Sequence, residues 1–403
     1  MNQVKIRDIK VITTAPSGIN LVVVKVETTE PGLYGLGCAT FTQRYEAVRT
    51  ALEFHLKPML IGRPVNDIED TWQLCMSNSY WRNGPVLNNA LSGVDQALWD
   101  IKGKMANMPV YDLLGGKCRP AAAVYRHAEG RDVQEVLERV QQFQEEGYHY
   151  LRVQVGMYGA TLAEGSKVVM PDGAYPGAYY DPAYYARSVV SMFDYLRSHL
   201  GFDVELCHDI HERLTPTMAI GLAKELEPYK LFFLEDALPP EQIEWFRRIR
   251  EQTTTPLAMG ELFVNPQEWK TLIKENLIDY IRVHLSMIGG LTPARKLAIL
   301  AENFGVRTAW HGPNDITPVG VAAQLHLDVA SHNFGVQEFA GFSDAEKEVF
   351  VGCPEIRNGY LYPNDKPGFG IELNEEAAKK YPCEFRPNYW TYTRLPDGTA
   401  VRP

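Results

Sequence analysis

Three carboxylates at the ends of consecutive short apolar segments are the first residues whose types and spacing suggest chemistry. The segments DVELCHD, LFFLEDA and LAMGE carry Asp209, Glu235 and Glu261, and each acid lies 26 residues after the one before it. Carboxylate oxygens are the ligands that hard cations such as Mg²⁺ prefer. If the segments are neighbouring strands, the three side chains can point at one spot. The pattern predicts a shared metal site, with separate structural ion pairs as the alternative.

Titratable and cationic side chains accompany these acids. His211 stands two residues after the first carboxylate, so an extended backbone would send both side chains to the same side. Histidine is the usual general acid or base near neutral pH, and the alternative for His211 is a structural contact at the start of the next helix. By the same parity Arg152 and Gln154 share a face, as do Arg282 and His284.

A phenol near Arg152 is a candidate base. Arginine keeps its charge and can lower the pKa of a neighbouring phenol. Tyr158 is the nearest phenol in the sequence, with Tyr175, Tyr179 and Tyr180 as alternatives. All four lie in an unusually long Gly-, Pro- and Tyr-rich connection, which predicts either an active-site lid or a surface for oligomer contacts.

Eight β-type runs, each followed by a helical pattern, must position these side chains. The runs end in or near polar residues, and in a (β/α)8 barrel the carboxyl ends of all strands converge on one mouth. A doubly wound open sheet is the structural alternative, but no G-x-G-x-x-G follows the first strand and there is no P-loop. We therefore predict an α/β fold with a barrel, preceded by an α+β region of strands and then helices. The runs are 121–127, 150–155, 203–209, 231–237, 257–261, 280–286, 307–312 and 335–340.

Length and composition are those of an ordinary globular protein. The 403 residues are 45% apolar and 22% charged, so the chain can bury a large core without metal or disulfides. A formal charge of −10 disfavours a dedicated nucleic-acid binder. The six cysteines are scattered, and no signal peptide or membrane-length apolar stretch is visible. We expect reduced thiols, a cytoplasmic location, and neither nucleic-acid nor membrane partners.

Several motifs together resemble the enolase superfamily, and within it the mannonate dehydratase group of acid-sugar dehydratases, some of whose members are labelled galactonate dehydratase-like or starvation-sensing. The motifs are HDIHERLTP, FFLEDALPPE, PLAMGELF, YIRVHLSMIGGLTPARK and WHGPNDITPVG. The resemblance covers nearly the whole chain and implies an enolase-type (β/α)8 barrel at 119–362. It also implies an α+β capping domain at 1–118 and a tail at 363–403 that returns to the capping domain.

The resemblance also implies roles for individual residues. Asp209, Glu235 and Glu261 would bind Mg²⁺, which the substrate carboxylate chelates and which stabilises the enediolate formed when the α-proton is removed. His211 would protonate the departing 3-hydroxyl, and Arg152 would assist the tyrosine base, which we assign to Tyr158. Positions expected to contact substrate are Gln43, His127, Glu261, Arg282, His311, Asp315 and Glu338.

These implications predict a Mg²⁺-dependent dehydratase that converts D-mannonate or D-gluconate to 2-keto-3-deoxy-D-gluconate, in a homo-oligomer. A racemase or cycloisomerase is the nearest rival, but those relatives usually carry Lys-x-Lys where this chain has Arg152-x-Gln154. A third hypothesis is a barrel that keeps the metal ligands and senses or binds a metabolite with little or no turnover.

Overall fold

The computed structural model describes residues 3–156, 170–385 and 391–403. The chain divides into two compact units, each assembled from separate stretches of sequence. The first unit comprises residues 1–123, 261–269 and 283–385, and the second comprises 124–260, 270–282 and 386–403. Among the described residues, no helix has the length and hydropathy needed to cross a membrane.

Strands and helices alternate over most of the chain, and each of the eight runs predicted between residues 121 and 340 overlaps a strand. The strands are β1 (Ile6–Thr14), β2 (Leu21–Thr28), β3 (Tyr34–Cys38), β4 (Ala122–Gly130), β5 (Tyr150–Val155), β6 (Ala178–Tyr179), β7 (Glu205–Asp209), β8 (Phe233–Glu235), β9 (Leu257–Met259), β10 (Tyr280–Ile281), β11 (Arg307–Thr308), β12 (Gln337–Glu338), β13 (Phe350–Val351), β14 (Glu355–Arg357), β15 (Tyr360–Tyr362), β16 (Glu372–Leu373) and β17 (Thr393–Arg394).

The helices are concentrated after β3 and between the later strands. They are α1 (Tyr45–Ala51), α2 (Lys57–Leu60), α3 (Ile68–Ser77), α4 (Pro85–Ala106), α5 (Val110–Leu113), α6 (Val133–Glu145), α7 (Pro182–Leu200), α8 (Pro216–Glu225), α9 (Phe246–Gln252), α10 (Pro266–Lys274), α11 (Leu291–Asn303), α12 (Pro318–Ala330), α13 (Asp344–Val349) and α14 (Glu375–Ala378). A π-helical turn spans Leu52–Leu56, and short 3-10 helices span Thr42–Arg44, Glu227–Tyr229 and Pro240–Trp245.

In the first unit, β1, β2 and β3 form an antiparallel sheet that packs against the long helix α4. Proline at the first turn of α4 suits a helix start, and Asn107 ends the helix with a left-handed φ of 52°. A Cβ atom on Gly37 of β3 would overlap the carbonyl oxygen of Gly93 in α4. The sheet and the helix therefore approach so closely that only glycine fits at this position.

In the second unit, six strands form a parallel sheet in the order β4-β5-β7-β8-β9-β10. Their apolar residues are almost completely buried, as expected for parallel strands covered on both faces. Helix α6 begins where the Asp132 side chain accepts hydrogen bonds from the N–H groups of Gln134 and Glu135. Because all six strands run the same way, their carboxyl ends lie along one edge of the sheet.

The described part of the tail after residue 363 contains β16, α14 and β17. Strand β17 pairs in parallel with β6, with Thr393 opposite Ala178. Within the second unit, strand β17 near the end of the chain is therefore paired with β6, at the end of the long connection that follows β5.

Candidate active site

Two buried carboxylates lie next to each other at the edge of the parallel sheet in the second unit. Asp209 ends β7 and Glu235 ends β8, and the two residues are directly paired in the strand register. Both side chains are completely buried. Paired positions on adjacent strands project to the same face, so the two carboxyl groups share one environment. This confirms the prediction that the two acids stand on neighbouring strands.

The chain turns sharply after β8 and again after β9. Asp236, directly after Glu235, has a φ of 41°, and Gly260, directly after β9, has a φ of 140°. The Gly260 N–H donates to the Asp236 side chain at 3.3 Å. Left-handed backbone outside glycine is strained and concentrates at functional sites. The hydrogen bond between Gly260 and Asp236 therefore joins the chain just after β8 to the chain just after β9.

Arg152 on β5 links several polar groups of the second unit. Its side chain is almost completely buried, and its guanidinium donates to Asp209 at 3.3 Å and to Glu129 at 2.8 Å. The Nδ1 atom of His127 lies 3.0 Å from Nη2 of Arg152. His127 and Arg152 are directly paired in the register of β4 and β5. The structure thus brings His127, Arg152 and Asp209 together.

Arg282 supplies the second buried cation. It is fully buried, and its Nε donates a hydrogen bond to a carboxylate oxygen of Glu235. The guanidinium lies 5.5 Å from the centre of the Tyr125 ring and 5.8 Å from that of Phe233. Both distances are within the range of cation–π attraction. Strand β10 ends at Ile281, so strand parity does not place the side chains of Arg282 and His284.

His211 reaches the site by a different route from the predicted extended strand. Strand β7 ends at Asp209, and His211 has a left-handed φ of 55°, so strand parity does not place its side chain. Its backbone N–H donates to the Asp209 carboxylate at 2.7 Å. The Nδ1 atom of its ring lies 3.1 Å from the main-chain oxygen of Pro403. The contact between His211 and Asp209 is therefore made by the backbone of His211, at a local turn and not along an extended strand.

His208 packs on the other side of β7 from Asp209, because successive residues of a strand project to opposite faces. Its Nδ1 donates to the carbonyl oxygen of Val153 at 2.8 Å, and its Nε2 lies 2.8 Å from the Tyr185 hydroxyl. Burial lowers the pKa of His208 to about 4, so the ring is neutral and its Nε2 accepts from Tyr185. Burial also raises the pKa of Tyr185 well above that of an ordinary phenol. These two side chains support β7 as neutral groups.

Gln154, which the residue-based prediction did not include among the substrate contacts, is a buried amide on β5. It is 1% exposed, and neither its Nε2 nor its Oε1 has a hydrogen-bond partner in the part of the chain that the structure describes. It lies two residues after Arg152 and therefore projects to the same face. An unpaired buried amide is costly, so it points to a polar ligand. The sequence feature that could have identified Gln154 as a substrate contact is its two-residue spacing from Arg152, which places both side chains on one face of the strand.

In the first unit, a second group of predicted residues is close together. The His311 Nε2 lies 3.2 Å from a carboxylate oxygen of Glu261 and 3.8 Å from one of Glu338. The Gly312 N–H donates to Glu338 at 3.1 Å. Glu261 and His311 are partly buried, whereas Glu338 is almost fully buried. The first unit thus gathers three of the positions expected to contact substrate.

His284 and Asp315 extend this group. The His284 Nε2 lies 3.7 Å from the Asp315 carboxylate, and the two rings of His284 and His311 are 5.5 Å apart. The backbone N–H of Ser286 donates to Nδ1 of His284 at 3.2 Å. The Nδ1 atom of His284 thus acts as an acceptor, and its Nε2 atom is on the side that faces Asp315.

The alternative phenols have structural roles. Tyr179 donates to the carbonyl oxygen of Tyr175 at 2.7 Å, and Tyr180 donates to that of Arg213 at 3.1 Å. The exposed ring of Tyr175 lies under the Arg394 guanidinium, with its centre 5.2 Å away.

Tyr158, the predicted base, lies outside the described residues. Gln43 lies in the 3-10 helix Thr42–Arg44 of the first unit, and it is exposed.

Two family descriptions together match almost the whole chain. Residues 135–377 match the family described as enolase C-terminal domain-like. Residues 2–115 match the mandelate racemase and muconate lactonizing enzyme family, N-terminal domain. The predicted fold class, a barrel-type domain preceded by a capping domain, is confirmed at this level.

Similar proteins match over the full length. D-galactonate dehydratase family members of Enterocloster bolteae and Musicola paradisiaca are 57% identical over 404 residues and 56% identical over 417 residues, covering 100% of both chains in each case. The crystal structure of an enolase from Pantoea ananatis, with bound D-gluconate and Mg, is 56% identical, with a TM-score of 0.97 over 99% of this chain and 100% of that chain. The chain therefore belongs to the D-galactonate dehydratase family, a family of acid-sugar dehydratases in the enolase superfamily.

Proposed function

We propose that this protein is a Mg²⁺-dependent dehydratase that removes water from carbons 2 and 3 of a hexonate, D-gluconate or D-mannonate, to give 2-keto-3-deoxy-D-gluconate. The observation that carries the proposal is the buried, directly paired Asp209 and Glu235, with the His211 amide bonded to Asp209. The Pantoea ananatis enolase, which holds D-gluconate and Mg, supports the choice of ligands.

The proposed metal ligands are Asp209, Glu235 and Glu261. Burying two adjacent carboxylates is costly unless nearby positive charge compensates them. Glu261 follows β9 by two residues, and β9 is the strand beside β8 in the parallel sheet. An all-oxygen donor set suits Mg²⁺. When bound, Mg²⁺ would draw electron density from the substrate carboxylate and so acidify the hydrogen on carbon 2.

Arg152 and Tyr158 are the proposed pair for removing that hydrogen. The hydrogen bonds from Arg152 to Glu129 and Asp209 fix the guanidinium, and its charge would favour the phenolate form of a nearby tyrosine. The described alternatives donate their hydroxyl protons to main-chain carbonyls or lie in the exposed part of the connection. Tyr158 thus remains the proposed base.

His211 is the proposed acid. Its backbone N–H donates to Asp209, the first proposed metal ligand, at a left-handed position two residues after the end of β7. A protonated His211 would donate to the hydroxyl on carbon 3, which then leaves as water. A racemase or cycloisomerase would need a base at the end of β5, where this chain has Arg152 and Gln154.

The remaining polar residues would bind the substrate hydroxyls. Gln154 adds an amide whose donor and acceptor have no partner among the described residues, which suits a hydroxyl that can both accept and donate. Arg282 would in addition offer its charge to the substrate carboxylate. The proposed contacts are Gln43, His127, Gln154, Glu261, Arg282, His311, Asp315 and Glu338.

Three further expectations stay predictions. They are the division into a capping domain at 1–118, a barrel at 119–362 and a tail at 363–403, the assembly into a homo-oligomer, and the cytoplasmic location.

A screen of hexonates and pentonates with Mg²⁺ tests the proposal, with the 2-keto-3-deoxy product detected as its semicarbazone. We expect turnover of D-gluconate or D-mannonate that stops when EDTA removes the metal and returns when Mg²⁺ is added. A folded protein that binds Mg²⁺ but turns over no acid sugar would overturn the dehydratase proposal and favour a binding or sensing role.

A further inference from the structure

One peptide group in the first unit is held from both of its sides. It joins His311, a proposed substrate contact, to Gly312. Its carbonyl oxygen accepts a hydrogen bond from Nε2 of Gln324 at 2.6 Å, and its N–H donates to the carboxylate of Glu338 at 3.1 Å. The C=O and N–H of a planar trans peptide point in opposite directions, so these two hydrogen bonds fix the orientation of the peptide plane.

The side chain of Gln324, in α12, is oriented by a second buried amide. A main-chain carbonyl can only accept, so the Gln324 atom that faces His311 must be the amide nitrogen. The Oε1 atom then accepts a hydrogen bond from Nε2 of Gln337 at 3.2 Å. Both glutamines are completely buried. The two amides therefore form one buried chain of hydrogen bonds that ends on the His311 carbonyl.

The missing side chain of Gly312 allows Gln324 to come this close. A Cβ atom on Gly312 would lie 3.0 Å from Nε2 and 3.1 Å from Oε1 of Gln324, which is tighter than ordinary packing. On the other side, the His311 N–H donates to the carbonyl oxygen of Val283 at 3.2 Å. The main chain is thus fixed before and after the His311 Cα atom, which sets the direction in which the imidazole leaves the backbone.

We propose that Gln324 is a positioning residue for substrate binding: through one peptide group it fixes the place of the His311 imidazole and of the Glu338 carboxylate. Both of these side chains are proposed substrate contacts, so the inference rests on the proposed dehydratase function for its catalytic consequence. Neither is proposed to transfer a proton. The loss of Gln324 should therefore weaken substrate binding more than it slows the chemical step.

The variant Gln324→Met tests the proposal, because methionine has a similar length and no strong hydrogen-bonding group. We expect KM for the hexonate that the protein turns over, D-gluconate or D-mannonate, to rise about tenfold, with kcat within about threefold of the parent. A merely structural role of Gln324 would lower the fraction of folded protein, which reduces the apparent kcat and leaves KM unchanged.

Gln337→Met is the matched control. It removes a buried amide of the same chain but keeps the contact between Gln324 and His311. Urea unfolding should show a similar loss of stability in both variants, because each leaves a buried polar group unpaired. The KM of Gln337→Met should stay close to that of the parent. A rise in KM for Gln324→Met no larger than for Gln337→Met, or a fall in kcat alone, would overturn the proposal.

Hydrogen–deuterium exchange provides a readout that needs no turnover. In Gln324→Met the Gly312 N–H should exchange faster, because the peptide group can rotate away from Glu338, whereas Gln337→Met should exchange like the parent. Unchanged exchange in the peptides that contain Gly312 would contradict the proposal. If the parent turns over no acid sugar, the dehydratase proposal fails, but the exchange measurement still decides whether Gln324 fixes this peptide group.

Gly312→Ala covers the case in which Gln324→Met does not fold, because it keeps every side chain of the buried chain of amides. The added Cβ atom would push the Gln324 amide away from the His311 carbonyl, so KM should again rise while kcat changes little. Gly221→Ala is the matched control, since a Cβ atom on Gly221 in α8 has no neighbour within 4 Å among the described residues. Parental KM and parental exchange in Gly312→Ala would overturn the proposal.

Discussion

Asp209 and Glu235 are directly paired on neighbouring parallel strands, and each has its own buried arginine, Arg152 for Asp209 and Arg282 for Glu235. The paired register makes the two carboxyl groups neighbours, and the two guanidinium groups offset the cost of burying them. Asp209 also accepts from the His211 backbone N–H, so one carboxylate links the proposed metal site to the proposed acid.

Glu235→Gln should weaken Mg²⁺ binding at least about tenfold, because it removes one negative charge from an all-oxygen site. Titration calorimetry with Mg²⁺ measures the change. The substitution also leaves Arg282 buried without its anionic partner, so thermal unfolding must show that the variant is folded. Glu241→Gln, at an exposed glutamate, is the matched control and should bind Mg²⁺ normally. Equal affinity in Glu235→Gln and the parent would remove Glu235 from the metal site.

His211→Asn should lower kcat by about 10²- to 10⁴-fold, the usual contribution of a general acid, with Mg²⁺ affinity nearly unchanged. The reason is that the hydrogen bond from His211 to Asp209 comes from the backbone N–H, which the substitution keeps. Exposed His332 offers the matched control His332→Asn, which should have parental kcat. Full turnover by His211→Asn would show that another group protonates the leaving hydroxyl.

Gln154→Met should lower kcat/KM about 10- to 100-fold, the value of one or two lost hydrogen bonds to substrate. It should leave the stability of the substrate-free protein equal or higher, because the amide has no partner among the described residues and its removal ends a desolvation cost. Steady-state kinetics and urea unfolding of the same preparation test both parts. Lower stability with unchanged kcat/KM would mean that the amide is structural.

His326 should make the first unit sensitive to acid. It is buried in α12 and accepts a hydrogen bond from the Tyr111 N–H on Nδ1, and burial lowers its pKa to about 3. Between the ordinary histidine pKa and about 3, the unfolded chain binds more protons than the folded one. The stability contribution of neutral His326 is therefore complete above about pH 6.5 and is lost as the pH falls.

The variant His326→Gln isolates this effect, because the glutamine oxygen can accept from Tyr111 and does not titrate. Between pH 6 and pH 4 the free energy of unfolding of the parent should fall, compared with the variant, by up to about 1.4 kcal/mol per pH unit. Urea titrations at successive pH values measure both curves. Parallel curves would show that His326 does not carry the acid sensitivity.

Much of the fold and half of the site follow from patterns in the sequence. The eight apolar runs locate strands because buried parallel strands need continuous apolar residues. The regular spacing of Asp209 and Glu235 reflects one strand–helix–strand unit, which places both acids at the same edge. Strand parity also separates His208, which packs under β7, from Asp209, and groups Gln154 with Arg152.

Other features follow from tertiary contacts that leave no local signal. His211 adopts a left-handed backbone that strand parity does not foresee, because the strand ends two residues earlier. Pro403 contacts His211 across 192 residues through its main chain, and main-chain contacts leave no mark on residue types. Glu129, by contrast, stands two residues after His127 on β4, so the parity rule could have identified it as a partner of Arg152.

The most direct test of the dehydratase account is ¹H NMR of D-gluconate and D-mannonate incubated with the protein and Mg²⁺ in D₂O. The account predicts loss of the substrate signals and appearance of 2-keto-3-deoxy-D-gluconate carrying solvent deuterium at carbon 3. The reaction should be absent when EDTA replaces Mg²⁺. Exchange or inversion at carbon 2 without loss of water, or no change at all in a protein shown to bind Mg²⁺, would contradict it.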